Sequence, residues 1–181
     1  MENEIIRKGD WIQTYTGKMF YPLDPRIEDI NIIDIAHALA NVCRFTGHVK
    51  RFYSVGNHSV LAGDHVPQEY KLTALLHDAS EFAIADIARP IKRLPEFAIY
   101  REIEDNLMRV ISQAFNTTYP LPECVVEADN RMLSTEMIQL MGKPPKTWSD
   151  LYEPYDFIIK PWTPQETERL FLDMFFKLTK E

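Results

Sequence analysis

From residue 31 onward, apolar residues recur at spacings of three and four, in segments divided by proline and glycine. That rhythm admits little besides packed helices. Asn31 predicts the cap of a first helix with Ile32, Ile33, Ala36, Ala40 and Cys43 on one stripe, stopping near Gly47. A second helix starts around Ser54 and ends before Pro67, because the residue before proline avoids helical angles. A third is expected over 69–85, a fourth from Pro95 to Phe115, and a fifth from Pro122 to Gly142. The last begins at Thr163-Pro164, a cap followed by a first-turn proline. Ahead of them, residues 11–22 alternate loosely around Thr16-Gly17, which predicts a short hairpin closed by Pro22 and Pro25. The expected fold is all-α, one domain over 1–181, with a hairpin extension in 1–25. The four prolines of 142–162 predict a loop, either a lid or subunit contact or a plain connection.

A chain of 181 residues can bury a core without staples. Its 20 basic against 27 acidic residues give −7, a poor footprint for a nucleic-acid polymer. Cys43 and Cys124 form no framework and no Cys-x-x-Cys pair, so both are expected to be buried thiols in a reducing compartment. No run reaches the roughly 18 apolar residues of a membrane helix. The polar start MENEIIRKGDW lacks a signal-peptide core. A cytoplasmic protein without a membrane partner is the expectation.

The third segment, YKLTALLHDASEFAIAD, carries the chemistry. Leu72, Leu75, Leu76, Ala79, Phe82 and Ala83 share one helical face. The opposite face holds Ala74, Ile84 and Ala85 instead of solvated charges, and His77, Asp78 and Glu81 crowd one patch of it. Such a helix either lines a site or presents one solvated polar edge. In the fifth segment Asp129 sits in the stripe Val126, Leu133, Met137 and Leu140, with Glu136 near the same face. A buried carboxylate needs a cation, which a metal, an arginine or a helix terminus can supply. His58 in the second segment lies among Gly56, Ala62 and Gly63. Two imidazoles and two carboxylates offer mixed nitrogen and oxygen ligands, suited to Mn, Fe, Co, Ni or Zn more than to Ca. His77 and Asp78 are adjacent and cannot point the same way on one helix, so an ion would have to sit between helices.

His58, then His77-Asp78, then Asp129, all on helices, resembles the HD-domain metal-dependent phosphohydrolases. The string HDASEFAIADIARPIKR, residues 77–93, is similar to the corresponding segment of the small bacterial and phage 5′-deoxynucleotidases. The stretch NVCRFTGHVKRFYSVGNHS, residues 41–59, resembles the same branch, with an arginine and an aromatic ahead of the first histidine. The resemblance covers most of residues 11–140.

It implies an HD-type helical bundle, with His58, His77, Asp78 and Asp129 as ligands of one divalent transition metal: Co, Mn, Zn, Ni or Fe, with Mg admissible. Glu81 would orient or deprotonate the attacking water, and Asp86 would contact the sugar or assist the water. Arg44 and Lys92 would bind phosphate. Phe45 stands where relatives often have tryptophan beside the nucleoside. His48, next to Lys50 and Arg51, either touches phosphate or is a surface histidine. Arg44 also fits a simple charge in the last turn of the first helix. The implied reaction cleaves the bond between the 5′ oxygen and the α-phosphorus of a deoxynucleotide. A dNMP nucleotidase is the first expectation and a dNTP (for example dATP) triphosphohydrolase the alternative, for which Lys50, Arg51, Arg89 and Arg93 are available cations. A phosphodiesterase for cyclic or alarmone nucleotides and a non-catalytic nucleotide sensor stay open on the same scaffold. So does a helical domain without a site, in which Asp129 pairs with an arginine. Members commonly form dimers or larger homo-oligomers.

Overall fold

Asn31 caps the first long helix: its side chain accepts the backbone N–H of Ile33, and α1 runs Ile32–Asn41. The computed structural model describes residues 6–146, 148–149 and 151–180. The first five residues of the polar N-terminal segment, two positions in 142–162 and Glu181 lie outside these. Ser54 caps α2 (Val55–Asp64) by accepting from Asn57. The 69–85 segment contains two short helices, α3 (Lys71–Leu75) and α4 (Glu81–Ile84), followed by α5 (Arg89–Lys92). Two long helices follow, α6 (Ala98–Phe115) and α7 (Glu123–Leu140). α8 (Pro164–Leu178) opens with a full capping box between Thr163 and Glu166. The architecture is mostly helical. Its hairpin pairs β1 (Ile12–Gln13) with β2 (Met19–Phe20) antiparallel, Ile12 opposite Phe20. The hairpin turn docks on α1, where Asp34 accepts from the backbone and hydroxyl of Thr16.

α8 lies across α1, α2 and α3. Ile35, Leu39, Val55, Leu75, Ile111 and Phe171 are fully buried where these helices meet α6. Each such side chain contributes roughly 1.5–3 kcal/mol by leaving water. The approach of α2 is close because Gly56 has no side chain. A Cβ there would lie 2.8 Å from Thr167 Cγ2 and 3.2 Å from the backbone nitrogen of Ala40. A second cluster of Tyr53, Ala62, Met132, Leu140 and Ile159 joins α2 to α7. No helix among the described residues is long and apolar enough to cross a membrane.

Four expectations need correction. α1 stops at Asn41 rather than near Gly47, because Val42 turns extended. Cys43 forms an antiparallel bridge with Ser54, Arg44 N–H donates to Tyr53 O at 3.0 Å, and Val55 N–H donates to Val42 O at 2.9 Å. Arg44 therefore leaves a short ladder, not a helix end. The predicted single helix over 69–85 breaks at Leu76–Ser80, where i to i−3 bonds such as Ala79 N–H to Leu76 O (3.0 Å) replace the α ladder. The expected stripe of α7 holds at Met137 and Leu140, which are buried, but is shifted in the first half: Val126 is 41% exposed, while Val125, Ala128 and Met132 are buried, as is Glu136. Cys43 and Cys124 are half-buried free thiols rather than fully buried ones. The described part of 142–162 holds no helix or strand, as expected. Its second half is strapped to α7, with Tyr155 N–H donating to Thr135 Oγ1 and Gln139 bonding both Phe157 O and Ile159 N.

Candidate metal centre

The break at Leu76–Ser80 lets two consecutive residues serve one site. His77 turns back to donate Nδ1–H to Ala74 O at 2.7 Å. That bond leaves the Nε2 lone pair facing inward, 3.2 Å from Asp78 Oδ2. His58, fully buried on α2, donates Nδ1–H to Glu136 Oε1 at 2.6 Å, so its Nε2 also faces inward. The two Nε2 atoms stand 3.1 Å apart. Asp129, on α7, brings Oδ1 to 3.1 Å from His58 Nε2 and 3.8 Å from His77 Nε2. Asp78 Oδ2 is 3.9 Å from His58 Nε2. His58, His77 and Asp129 thus form a group with donor atoms within 4.8 Å of one another, and Asp78 borders it.

Two imidazole lone pairs facing each other at 3.1 Å repel unless a cation lies between them. Metal–ligand bonds of about 2.0–2.2 Å, at octahedral to tetrahedral angles, hold neighbouring donors about 3.0–3.5 Å apart. The three shortest separations here fall in that window, and the donor set could hold a metal ion. Electrostatics agree. Burial alone would lower both imidazoles, and Arg44 lowers His58 further. Asp78 and Asp129 outweigh burial at His77, and Glu136 and Asp129 do so at His58, so both titrate above the ordinary value. Burial would raise Asp129, but the two histidines hold it well below the usual carboxylate range. Asp78 is likewise lowered against burial, first by His77.

Glu81 begins α4 and is buried; its Oε2 has no hydrogen-bond partner among the described residues. Burial and the neighbouring charges of Asp78 and Asp86 push its carboxyl well above the ordinary value. Asp86 is half-buried and raised too, mainly by burial. Between them the backbone is strained: Ala85 sits at φ 62°, ψ 166°, a region that residues with a Cβ rarely adopt. Tyr100 OH holds that peptide through Ala85 O at 2.8 Å.

Arg44 is buried beside the cluster. Its Nε and one terminal nitrogen reach Glu136 Oε2 at 3.1 and 3.0 Å, and the other terminal nitrogen lies 3.5 Å from Asp78 Oδ2. Phe45 lies under the guanidinium at 5.5 Å and faces Trp148 at 6.5 Å. Phe45 and Thr46 adopt left-handed backbone angles, which steer the chain sharply away after Arg44. His48 is exposed and shares a hollow of about 280 Å³ with Met137, Lys143 and Trp148, among others. The ammonium of Lys92 is hydrogen-bonded to Glu104 of α6. The donors His58, His77, Asp78 and Asp129 therefore converge, with Glu81 and Arg44 at their side. Lys92 and His48 lie at the periphery.

Glu136 is the residue that sequence reasoning underrated. It is fully buried and accepts from His58, Arg44 and Tyr53 OH, the last at 2.8 Å. Its spacing of seven residues from Asp129, two helical turns, was the available signal.

The chain is similar to the uncharacterized protein YfdR of Escherichia coli K12, with 42% identity over 127 residues covering 70% of each chain. It is also similar to the uncharacterized protein RCAP_rcc00048 of Rhodobacter capsulatus, with 34% identity over 148 residues covering 75% of each chain. No family model matches. The chain belongs to the family of these two proteins.

Proposed function

We propose that this YfdR-family member is an HD-type, metal-dependent phosphohydrolase that cleaves the 5′-O–Pα bond of a deoxynucleotide and releases a deoxynucleoside and phosphate. The observation that carries the reading is the pair of inward Nε2 atoms 3.1 Å apart, with Asp129 and Asp78 beside them. His58, His77, Asp78 and Asp129 would hold the ion. A divalent ion in that place polarises a phosphoryl oxygen and lowers the pKa of a water.

The chain's own groups supply the rest. Glu81 has an oxygen without a hydrogen bond among the described residues and a raised pKa, which suit a carboxylate that takes the proton of the attacking water. Arg44 keeps the nitrogen nearest Asp78 for a phosphate oxygen, while Glu136 fixes its orientation. Lys92 would add a weaker phosphate contact after exchanging Glu104 for substrate, and His48 would act at the edge. Asp86, set by the strained Ala85 peptide, would bind the sugar. Phe45 would lie beside the nucleoside. A homo-oligomer is part of this reading, as is a cytoplasmic setting.

Triphosphate substrates form the second reading. It is favoured by the exposure of Arg89 and Arg93 on either side of Lys92, and of Lys50 and Arg51 near His48.

Product analysis separates the readings. Mn- or Co-loaded protein is incubated separately with dAMP, dATP, AMP and ATP. Orthophosphate from dAMP, with dATP untouched, is the expected result. Inorganic triphosphate from dATP moves the assignment to the second reading. No product from any of the four overturns both.

A further inference from the structure

We propose that Glu136 is a positioning residue that sets the tautomer of His58, and thereby the metal affinity of the centre, while locking Arg44 in place with its other oxygen. The inference rests on the metal reading above and on no particular substrate.

Every partner of Glu136 comes as a donor. Oε1 accepts from His58 Nδ1 (2.6 Å) and Tyr53 OH (2.8 Å). Oε2 accepts twice from Arg44, at 3.1 and 3.0 Å. An ionised carboxylate is the one side chain of this size that accepts at both ends. With Nδ1–H committed to Glu136, the neutral imidazole of His58 presents a bare Nε2 to His77 and Asp129. A carboxylate behind a ligating histidine also raises its basicity. His77 is oriented differently, by the backbone carbonyl of Ala74. The two imidazoles therefore depend on separate anchors, and only that of His58 is a side chain that substitution can change.

Glutamine makes the inference testable, because it keeps the shape and loses one acceptor. Arg44 cannot accept a hydrogen bond. In E136Q the amide oxygen must therefore face Arg44 and the amide NH2 must face His58. His58 then has to accept at Nδ1 and carry its proton on Nε2, where an ion would bind. Removing the demand of Arg44 reverses this. In the double variant R44Q/E136Q the amide at 136 is free to turn its oxygen back to His58, and the glutamine at 44 can accept from its NH2.

The experiment is Mn²⁺ and Co²⁺ titration calorimetry on the wild-type chain, E136Q and R44Q/E136Q, with the metal-free melting temperature of each as the folding check. Metal affinity is expected to fall by about 10–100-fold in E136Q and to recover most of that loss in the double variant. Equal affinity in E136Q and wild type overturns the proposal, and so does a double variant as weak as the single one. A wild-type chain that binds neither ion overturns the metal reading and this inference with it. Should E136Q not fold, long-range ¹⁵N–¹H spectra of the Zn-loaded wild-type chain decide. A proton on Nδ1 of His58 sustains the proposal, and a metal on Nδ1 defeats it.

Discussion

α7 and the segment from Lys71 to Lys92 both feed the candidate site, and they do so in opposite ways. α7 is one unbroken helix of 18 residues, and it places Asp129 and Glu136 two turns apart by regular period alone. The other segment is three short helices separated by tight turns and a strained peptide. It brings neighbours in sequence, His77 and Asp78, to one point. Regular structure sets distances that repeat. Broken structure is needed where adjacent side chains must converge, and the same segment carries a strained peptide further on, at Ala85.

Removing one ligand from each side has the largest expected effect. Asp129→Ala and Asp78→Ala are both expected to abolish metal retention, read as metal content after dialysis. Metal retained by D78A alone would mean that the broken segment supplies His77 and Glu81 but no carboxylate ligand.

Glu81→Gln is expected to keep the metal and lower turnover by about 10²–10⁴-fold, the usual worth of a positioned acid or base. Turnover at the wild-type rate would take Glu81 out of the chemistry.

Acidity tests both sides together. Without an ion both imidazoles hold a proton more tightly than an ordinary histidine, so metal uptake competes with protons there. Calorimetry over a pH series should show affinity climbing by up to about tenfold per pH unit for each proton displaced, and continuing above 6.5. The metal-free chain should behave in the opposite sense. A raised imidazole stabilises the fold fully below its unfolded value, and that contribution is lost as pH rises through the folded value. The lowered Asp78 and Asp129 contribute above their unfolded value and lose it in acid. Melting in chelator should therefore drop on the alkaline side of 6.5, and saturating Mn²⁺ should erase the drop.

The smallest effect probes the strain itself. Ala85→Gly is expected to stabilise the chain by about 1 kcal/mol in thermal melting, since glycine accepts φ 62° without penalty. If the strain serves to aim Asp86, the same variant loses turnover severalfold. Unchanged kinetics would assign the strained peptide to chain reversal alone.

Much of this molecule was legible in its letters. The caps at Asn31, Ser54 and Thr163 mark helix starts because a side-chain oxygen there satisfies an orphan N–H, a local effect that needs no tertiary partner. The proline at 122 and the apolar period of α7 gave its span to within two residues at its far end. The breaks were not legible. Leu76–Ser80 has no proline or glycine to mark a break, and its apolar period runs straight through, so periodicity does not encode the turn around His77. The end of α1 was missed for a similar reason: Val42–Arg44 extend to pair with Tyr53–Val55, a contact set by the fold. That His58, His77 and Asp129 could meet was readable from residue type, since a buried carboxylate and apolar-flanked imidazoles each need a partner. The role of Glu136 was not, since it depends on Arg44, Tyr53 and His58 arriving from three places in the chain.

Asn57, the residue before the buried imidazole of α2, bonds Thr167 on α8 and accepts from the backbone of Trp162 at 2.9 Å. During synthesis, every candidate ligand emerges well before that clasp exists. A nascent chain that has reached Asp129 owns all four donors, yet α2 still lacks the helix that presses against Gly56. Metal loading is therefore expected to wait until α8 has been made and has packed against α2. A protease that releases α8 is expected to unload the centre without cutting near a single ligand.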